Sequence, residues 1–72
     1  MMKSLLQKLK PSIKENLEKE KDKYPSSYKR IINELSACYI VSDVTLGTLT
    51  TLGGYSGEWV STVNEMYNMF EE

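Results

Sequence analysis

The sequence contains no histidine, and Cys38 is the only cysteine among its 72 residues. Without histidine, the chain lacks the commonest general base and metal ligand. A single cysteine cannot form a disulfide within one chain, and an unpaired thiol is typical of a reducing compartment. We therefore expect no metal, no disulfide and a cytoplasmic location, in the protein's own cell or in a host cell.

Long apolar runs are also missing. The longest one, residues 37–41, is far shorter than the ~20 apolar residues that a membrane-spanning helix needs. Residues 1–10 lack the apolar core and the small-residue cleavage site of a secretory signal. We expect one small domain over residues 1–72, with no membrane segment.

Basic residues are confined to the first part of the chain. Nine basic and four acidic residues give residues 1–30 a net charge of +5, whereas six acidic and no basic residues give residues 31–72 a net charge of −6. Such asymmetry points to a binding partner. Alternatively, the two halves attract each other within one fold or across a dimer.

Apolar spacing predicts an all-α bundle of three or four short helices. Residues 2–23 keep one helical phase, interrupted by Glu20 on the apolar side. Pro11 allows two interpretations, because proline suits a helix start but disrupts a helix interior. Either a short helix ends near Leu9 and a longer one begins at Pro11, or one helix continues with a kink.

A second helix is expected from Tyr28 to about Val41, and because residues 37–41 are apolar all round, it should be the most buried element. Residues 44–52 predict a short helix capped by Asp43, although their threonines and Val44 also favour a strand. Gly53 should end this element.

The last helix should begin near Ser56 and carry a core stripe. Its members recur at i, i+4, i+7 and i+11: Trp59, Val63, Met66 and Phe70. The apolar arc is wider than one packed seam needs, which favours a partner or a dimer on the remaining surface. Glu71 lies at the wrong end of the helix dipole, so we expect the last turn to fray.

Residues 46–64 resemble the repressor-type helix-turn-helix motif. Leu49 stands where that family has a core leucine, and further matches are Gly54, Tyr55, Ser56, Val60 and Ser61. The sequence departs from the family at Thr50, where alanine is usual, and at Gly57. The resemblance implies two helices joined by a tight turn, and it identifies no family for the whole chain.

The charge of this segment argues against DNA binding. DNA affinity depends largely on neutralising phosphates, and residues 31–72 contain no lysine or arginine. An acidic helix-turn-helix face suits a protein partner better. We expect contacts from Tyr55, Ser56, Glu58, Ser61, Thr62 and Glu65.

Catalysis is not expected. Cys38 has no histidine partner and lies on the apolar side of a predicted helix, which is typical of an inert thiol. No phosphate-binding glycine loop is present, and we expect no cofactor.

We therefore predict a non-enzymatic regulator that binds a protein, an inhibitor or adaptor of the kind that phages and mobile elements encode. A rival hypothesis is a helix-turn-helix nucleic-acid binder whose phosphate contacts are Lys3, Lys10, Lys14, Lys29 and Arg30. A third hypothesis is a structural homo-oligomer.

Overall fold

The computed structural model of the protein is a bundle of short helices, and it describes residues 2–53 and 63–71. The helices are α1 (Leu5–Lys8), α2 (Pro11–Lys23), α3 (Pro25–Ala37), α4 (Asp43–Gly53) and α5 (Val63–Tyr67). Helix α3 packs against α1, α2 and α4, and α5 packs against α4. The predicted all-α bundle is confirmed, with five helices in the described residues because α1 and α2 are separate.

Pro11 separates the first two helices. The Gln7 side chain accepts a hydrogen bond from the Ser4 N–H at the start of α1, as in a capping box. Leu9 and Lys10 then have extended backbones, with ψ of 134° and 146°. Proline fits the first position of α2 because its missing N–H has no helical partner there. Of the two predicted arrangements, the separate helices are correct.

Helix α3 ends earlier than predicted. It stops at Ala37, and Cys38 is extended, with φ −97° and ψ 142°. The Cys38 C=O accepts a 2.8 Å hydrogen bond from the Leu5 N–H, which directs the chain toward α1 instead of continuing the helix. The predicted extension of this helix to about Val41 was therefore wrong, and Ile40 is 70% exposed.

Residues 43–53 form the predicted helix, α4, and not the strand that was the alternative. Ser42, rather than Asp43, caps it: the Ser42 C=O accepts from the Leu46 N–H, and the Ser42 Oγ accepts from the Thr45 N–H. Asp43 instead lies in the first turn, where the helix dipole favours a negative charge. The threonines fit because the hydroxyls of three of them donate to the carbonyl four residues earlier, namely Thr48, Thr50 and Thr51.

The segment after α5 is fixed to the start of the chain. Leu9 and Phe70 form an antiparallel bridge, flanked by a 2.9 Å bond from the Lys10 N–H to the Met69 C=O and a 2.8 Å bond from the Glu71 N–H to the Lys8 C=O. The predicted fraying at Glu71 was wrong, because the chain leaves the helix at Tyr67 and pairs with residues 8–10.

All five helices and the C-terminal segment contribute side chains to the core. Its buried side chains are Leu5, Leu9, Leu17, Ile31, Leu35, Leu46, Leu49, Met66, Met69 and Phe70. The predicted stripe is correct for Met66 and Phe70 but wrong for Val63, which is 43% exposed. Met69 is buried in its place because α5 ends at Tyr67 and a turn follows. Trp59 lies outside the described residues.

Candidate partner-binding surfaces

Most of the predicted contact residues fall in the part of the chain that the structure does not describe. These are Tyr55, Ser56, Glu58, Ser61 and Thr62. Glu65 is described and lies exposed on α5. Helix α4 supplies a first helix with Leu49 buried, as the helix-turn-helix resemblance implies, but the turn lies outside the described residues. The helix-turn-helix geometry therefore stays a prediction.

Helix α5 is held against α4 by polar contacts. The Tyr67 hydroxyl donates a 2.5 Å hydrogen bond to the Asp43 Oδ1. One residue earlier on α5, the Met66 Sδ lies 2.9 Å from the Thr50 Oγ1, in the last turn of α4. These contacts place the exposed edge of Tyr67 beside Val44, the residue that follows Asp43.

Five exposed apolar side chains lie on the elements near this junction, and we call them the apolar patch. It consists of exposed side chains on the α3–α4 connection, the start of α4 and α5, namely Tyr39, Ile40, Val44, Val63 and Tyr67. Val44 is the most exposed of them, at 81%. Three residues separate Ile40 from Val44, so their Cα atoms lie within about 14 Å of each other. Val63 lies one turn from Tyr67 on the same side of α5.

The apolar patch holds both an acidic and a basic contact. Asp43 lies inside it, whereas Glu65 is exposed on α5 but lies roughly 160–200° around the helix from Val63 and Tyr67. The Lys8 Nζ donates a 3.2 Å hydrogen bond to the Tyr39 C=O. Because residues 31–72 hold no basic side chain, any other cation there must come from the first 30 residues.

The hydrogen bond between Tyr67 and Asp43 also affects the titration of Tyr67. The bond to Asp43 raises the pKa of the Tyr67 phenol above its ordinary value, since the carboxylate stabilises the protonated donor and repels the phenolate. Tyr67 is therefore a neutral hydrogen-bond donor throughout the physiological pH range.

A groove lies on another part of the bundle, where α1, α2 and α3 meet. Its volume is about 350 Å³, and its lining residues are Leu6, Gln7, Lys14, Leu17, Glu18, Tyr28 and Ile32. Leu17 is fully buried and forms the floor, whereas Leu6, Tyr28 and Ile32 are half-buried and form the walls. Apolar walls with a few polar groups are typical of binding sites.

The basic residues named for phosphate contact are spread over several elements. Lys3 lines a cavity of about 240 Å³ together with Lys8 and Glu71, whereas Lys14 lines the groove. Lys10 caps α2 and donates its backbone N–H to Met69, and both Lys29 and Arg30 lie exposed on α3.

Cys38 has the environment of a structural thiol. Burial and the neighbouring Glu34 carboxylate raise the pKa of the Cys38 thiol, whose Sγ donates a 3.3 Å hydrogen bond to the Glu34 Oε1. A protonated thiol is a poor nucleophile. Within residues 2–53 and 63–71, no group of three histidine, cysteine or acidic side chains is arranged to hold a metal ion.

The sequence reasoning missed Tyr39, Ile40 and Val44 because it placed the first two in a buried helix. The signal that could have found them is Ser42, a strong helix cap. A new helix that starts after Ser42 needs the preceding helix to stop early, which leaves the apolar residues between them on a connection.

No helix in the described part of the chain has the length and apolar character needed to cross a membrane. No protein-family model matches the chain, and comparisons with curated proteins and with solved structures also find no match.

Proposed function

We propose that the protein is a small non-enzymatic regulator that binds a protein partner through the apolar patch. The observation that carries this proposal is the exposure of five large apolar side chains on the elements near the Tyr67–Asp43 hydrogen bond. Contiguous exposed apolar surface is typical of protein interaction sites. Complete burial of a valine or isoleucine side chain contributes about 1.5–3 kcal/mol, so Ile40 and Val44 could anchor a complex.

The charges indicate the chemistry of the partner. Asp43 lies inside the apolar patch, and residues 31–72 provide no cation. A partner segment with apolar side chains flanked by lysine or arginine matches this surface, because opposite charges speed association and select the correct partner. Capture of such a segment is how an inhibitor or adaptor would act, and the free thiol of Cys38 suits the cytoplasm as its location.

The rival hypotheses have less support. Nucleic acid would be repelled at the apolar patch by Asp43, and the lysines named for phosphate contact are distributed from the residues before α1 to α3. A symmetric dimer through the patch would bring Asp43 of one copy toward Asp43 of the other, which opposes association.

A basic amphipathic peptide tests the proposal. The probe is a synthetic helix with leucine at i, i+3, i+4 and i+7 and lysine elsewhere. We expect it to shift the amide resonances of Ile40, Val44 and Tyr67 in ¹H–¹⁵N spectra. Val44→Lys removes an apolar contact and adds repulsion, so the affinity should fall by about tenfold or more, equivalent to about 1.4 kcal/mol.

The matched control is Asn16→Lys, which adds the same charge on α2. Among the described helices, α2 has no contact with α4 or α5, so this variant should bind the basic peptide nearly as tightly as the wild type. The proposal is wrong if the peptide leaves the patch resonances unmoved, or if both variants lose affinity equally.

A further inference from the structure

We infer that the groove between α1, α2 and α3 is a second docking site, and that its occupant is an acidic amphipathic helix. The groove and the apolar patch are built from different helices: α1, α2 and α3 line the groove, while α4, α5 and the α3–α4 connection carry the patch. The two surfaces share no residue, and this inference does not depend on the proposed function.

The shape of the groove suits the apolar side of a helix. Tyr28 and Ile32 lie one turn apart on α3 and form one wall, and Leu6 on α1 contributes to the other side. Leu17 closes the floor. A volume of about 350 Å³ accommodates a few large side chains rather than a complete drug-sized ligand. An amphipathic helix presents such side chains at i, i+3, i+4 and i+7 when it binds in a groove.

The charge beside the groove selects an acidic occupant. Lys14 lines the groove, and the Lys21 Nζ lies 5.9 Å from the centroid of the Tyr28 ring that forms its wall. Lys21 follows Lys14 by seven residues, so these two lysines lie on the same side of α2. Lys14 and Glu18 are the two charged side chains of the lining, so the positive excess comes from Lys21 beside it and from residues 1–30, which carry a net charge of +5.

The apolar walls argue against a phosphate backbone as the occupant. Nucleic-acid surfaces combine cations with exposed aromatic faces on which bases stack. Here the face of Tyr28 is approached by Lys21, and the remaining wall residues are aliphatic. An acidic helix satisfies both properties of the groove, because its leucines fill the apolar space and its carboxylates meet the lysines.

Two sites of opposite charge preference would make the protein an adaptor. A partner with a basic apolar segment would bind the patch, and a partner with an acidic amphipathic helix would bind the groove. The charge asymmetry of the sequence then has a function in addition to any attraction between the two halves.

The test uses a peptide with the same leucine positions as the basic probe and with glutamate in place of lysine. We expect this acidic peptide to shift the amide resonances of Leu17, Tyr28 and Ile32 in ¹H–¹⁵N spectra and to leave Val44 unmoved. Lys14→Glu should weaken its binding by about tenfold or more, because it replaces attraction at the groove with repulsion. Lys14→Ala, which only removes the cation, should weaken it by about threefold.

Lys19→Glu is the matched control. It makes the same charge change on α2 but lies about 140° around the helix from Lys14. It should reduce the affinity for the acidic peptide less than twofold at physiological salt, where distant surface charges are screened. Equal losses in Lys14→Glu and Lys19→Glu would show that net charge alone attracts the peptide, and they would overturn the inference.

Two further results separate this inference from its competitors and from the proposed function. Val44→Lys should leave the acidic peptide bound, so a failure at the patch does not affect the groove. A single-stranded oligonucleotide should not displace the acidic peptide. Displacement that Lys14→Glu abolishes would assign the groove to nucleic acid and contradict the acidic-helix occupant.

Discussion

Replacement of the buried Glu20 by methionine should stabilise the protein. Glu20 lies on the core side of α2 with only 4% of its surface exposed, and its Oε2 atom has no hydrogen-bond partner. Burial removes water from a polar group, and nothing compensates when no partner replaces it. Methionine has a similar length and helix propensity, so the substitution changes the polarity of the site more than its shape.

The magnitude follows from the unpartnered oxygen. A buried polar group without a hydrogen bond costs about 1–3 kcal/mol, and we expect Glu20→Met to raise the free energy of unfolding by that amount. For a domain of this length, each kcal/mol corresponds to a rise in Tm of roughly 4–8 °C. Glu20→Gln should give a smaller increase, because its amide is neutral but still polar.

Urea denaturation followed by circular dichroism measures the effect, with thermal melts as a second readout. Glu15→Met is the control, since Glu15 lies exposed on the same helix and its replacement should change stability by no more than about 0.5 kcal/mol. If Glu20→Met is no more stable than Glu15→Met, then the carboxylate has favourable interactions and our account of this site is wrong.

Three further predictions concern the C-terminal segment, the thiol and the tyrosine. Phe70→Ala should lower the free energy of unfolding by about 3–5 kcal/mol in urea melts, because the ring is buried in the core; a loss below 1 kcal/mol would contradict that packing. Glu34→Gln should speed alkylation of Cys38 by iodoacetamide near pH 8, since it removes the carboxylate that helps to raise the pKa of the thiol; an unchanged rate would refute this contribution. The folded-state pKa of Tyr67 lies above its ordinary value of 10.0, so its bond to Asp43 contributes stability that is fully present below pH 10 and is lost as the pH rises through the folded pKa. The stability difference between the wild type and Tyr67→Phe should therefore be present at pH 8 and shrink in strongly alkaline urea melts, and a difference independent of pH would contradict this linkage.

Local patterns in the sequence predicted several helices because local physics determines them. The break at Pro11 follows from the missing N–H of proline, and the helical spacing from Ile31 to Leu35 follows the buried side of α3. The helix at α4 was the preferred of two interpretations, and its threonine hydroxyls make it compatible with residues that favour strands.

Contacts between distant residues determined what the sequence could not show. Helix α3 ends at Ala37 because the Cys38 C=O bonds to the Leu5 N–H, more than 30 residues earlier in the chain. The bridge between Leu9 and Phe70 likewise ends the α5 periodicity and brings Met69 into the core. Periodicity describes one element at a time, so neither of these pairings could be predicted from it.

The candidate site, like the fold, could be predicted from the sequence only in part. Charge asymmetry and the wide apolar arc of the C-terminal helix predicted a binding surface. The apolar patch, however, depends on the early end of α3 and on the bond from Tyr67 to Asp43, and both are tertiary features. Burial of Glu20 was recognisable from its place on the apolar side of the helix, but its missing partner required the structure.

The most direct test of the protein-binding role is the ¹H–¹⁵N titration of the wild type and Val44→Lys with the basic leucine–lysine peptide. We predict that the peptide shifts the resonances of Ile40, Val44 and Tyr67 in the wild type, and that Val44→Lys weakens binding by about tenfold or more. Unchanged affinity in Val44→Lys, with the variant as well folded as the wild type, would contradict the proposal that the apolar patch is the partner-binding surface.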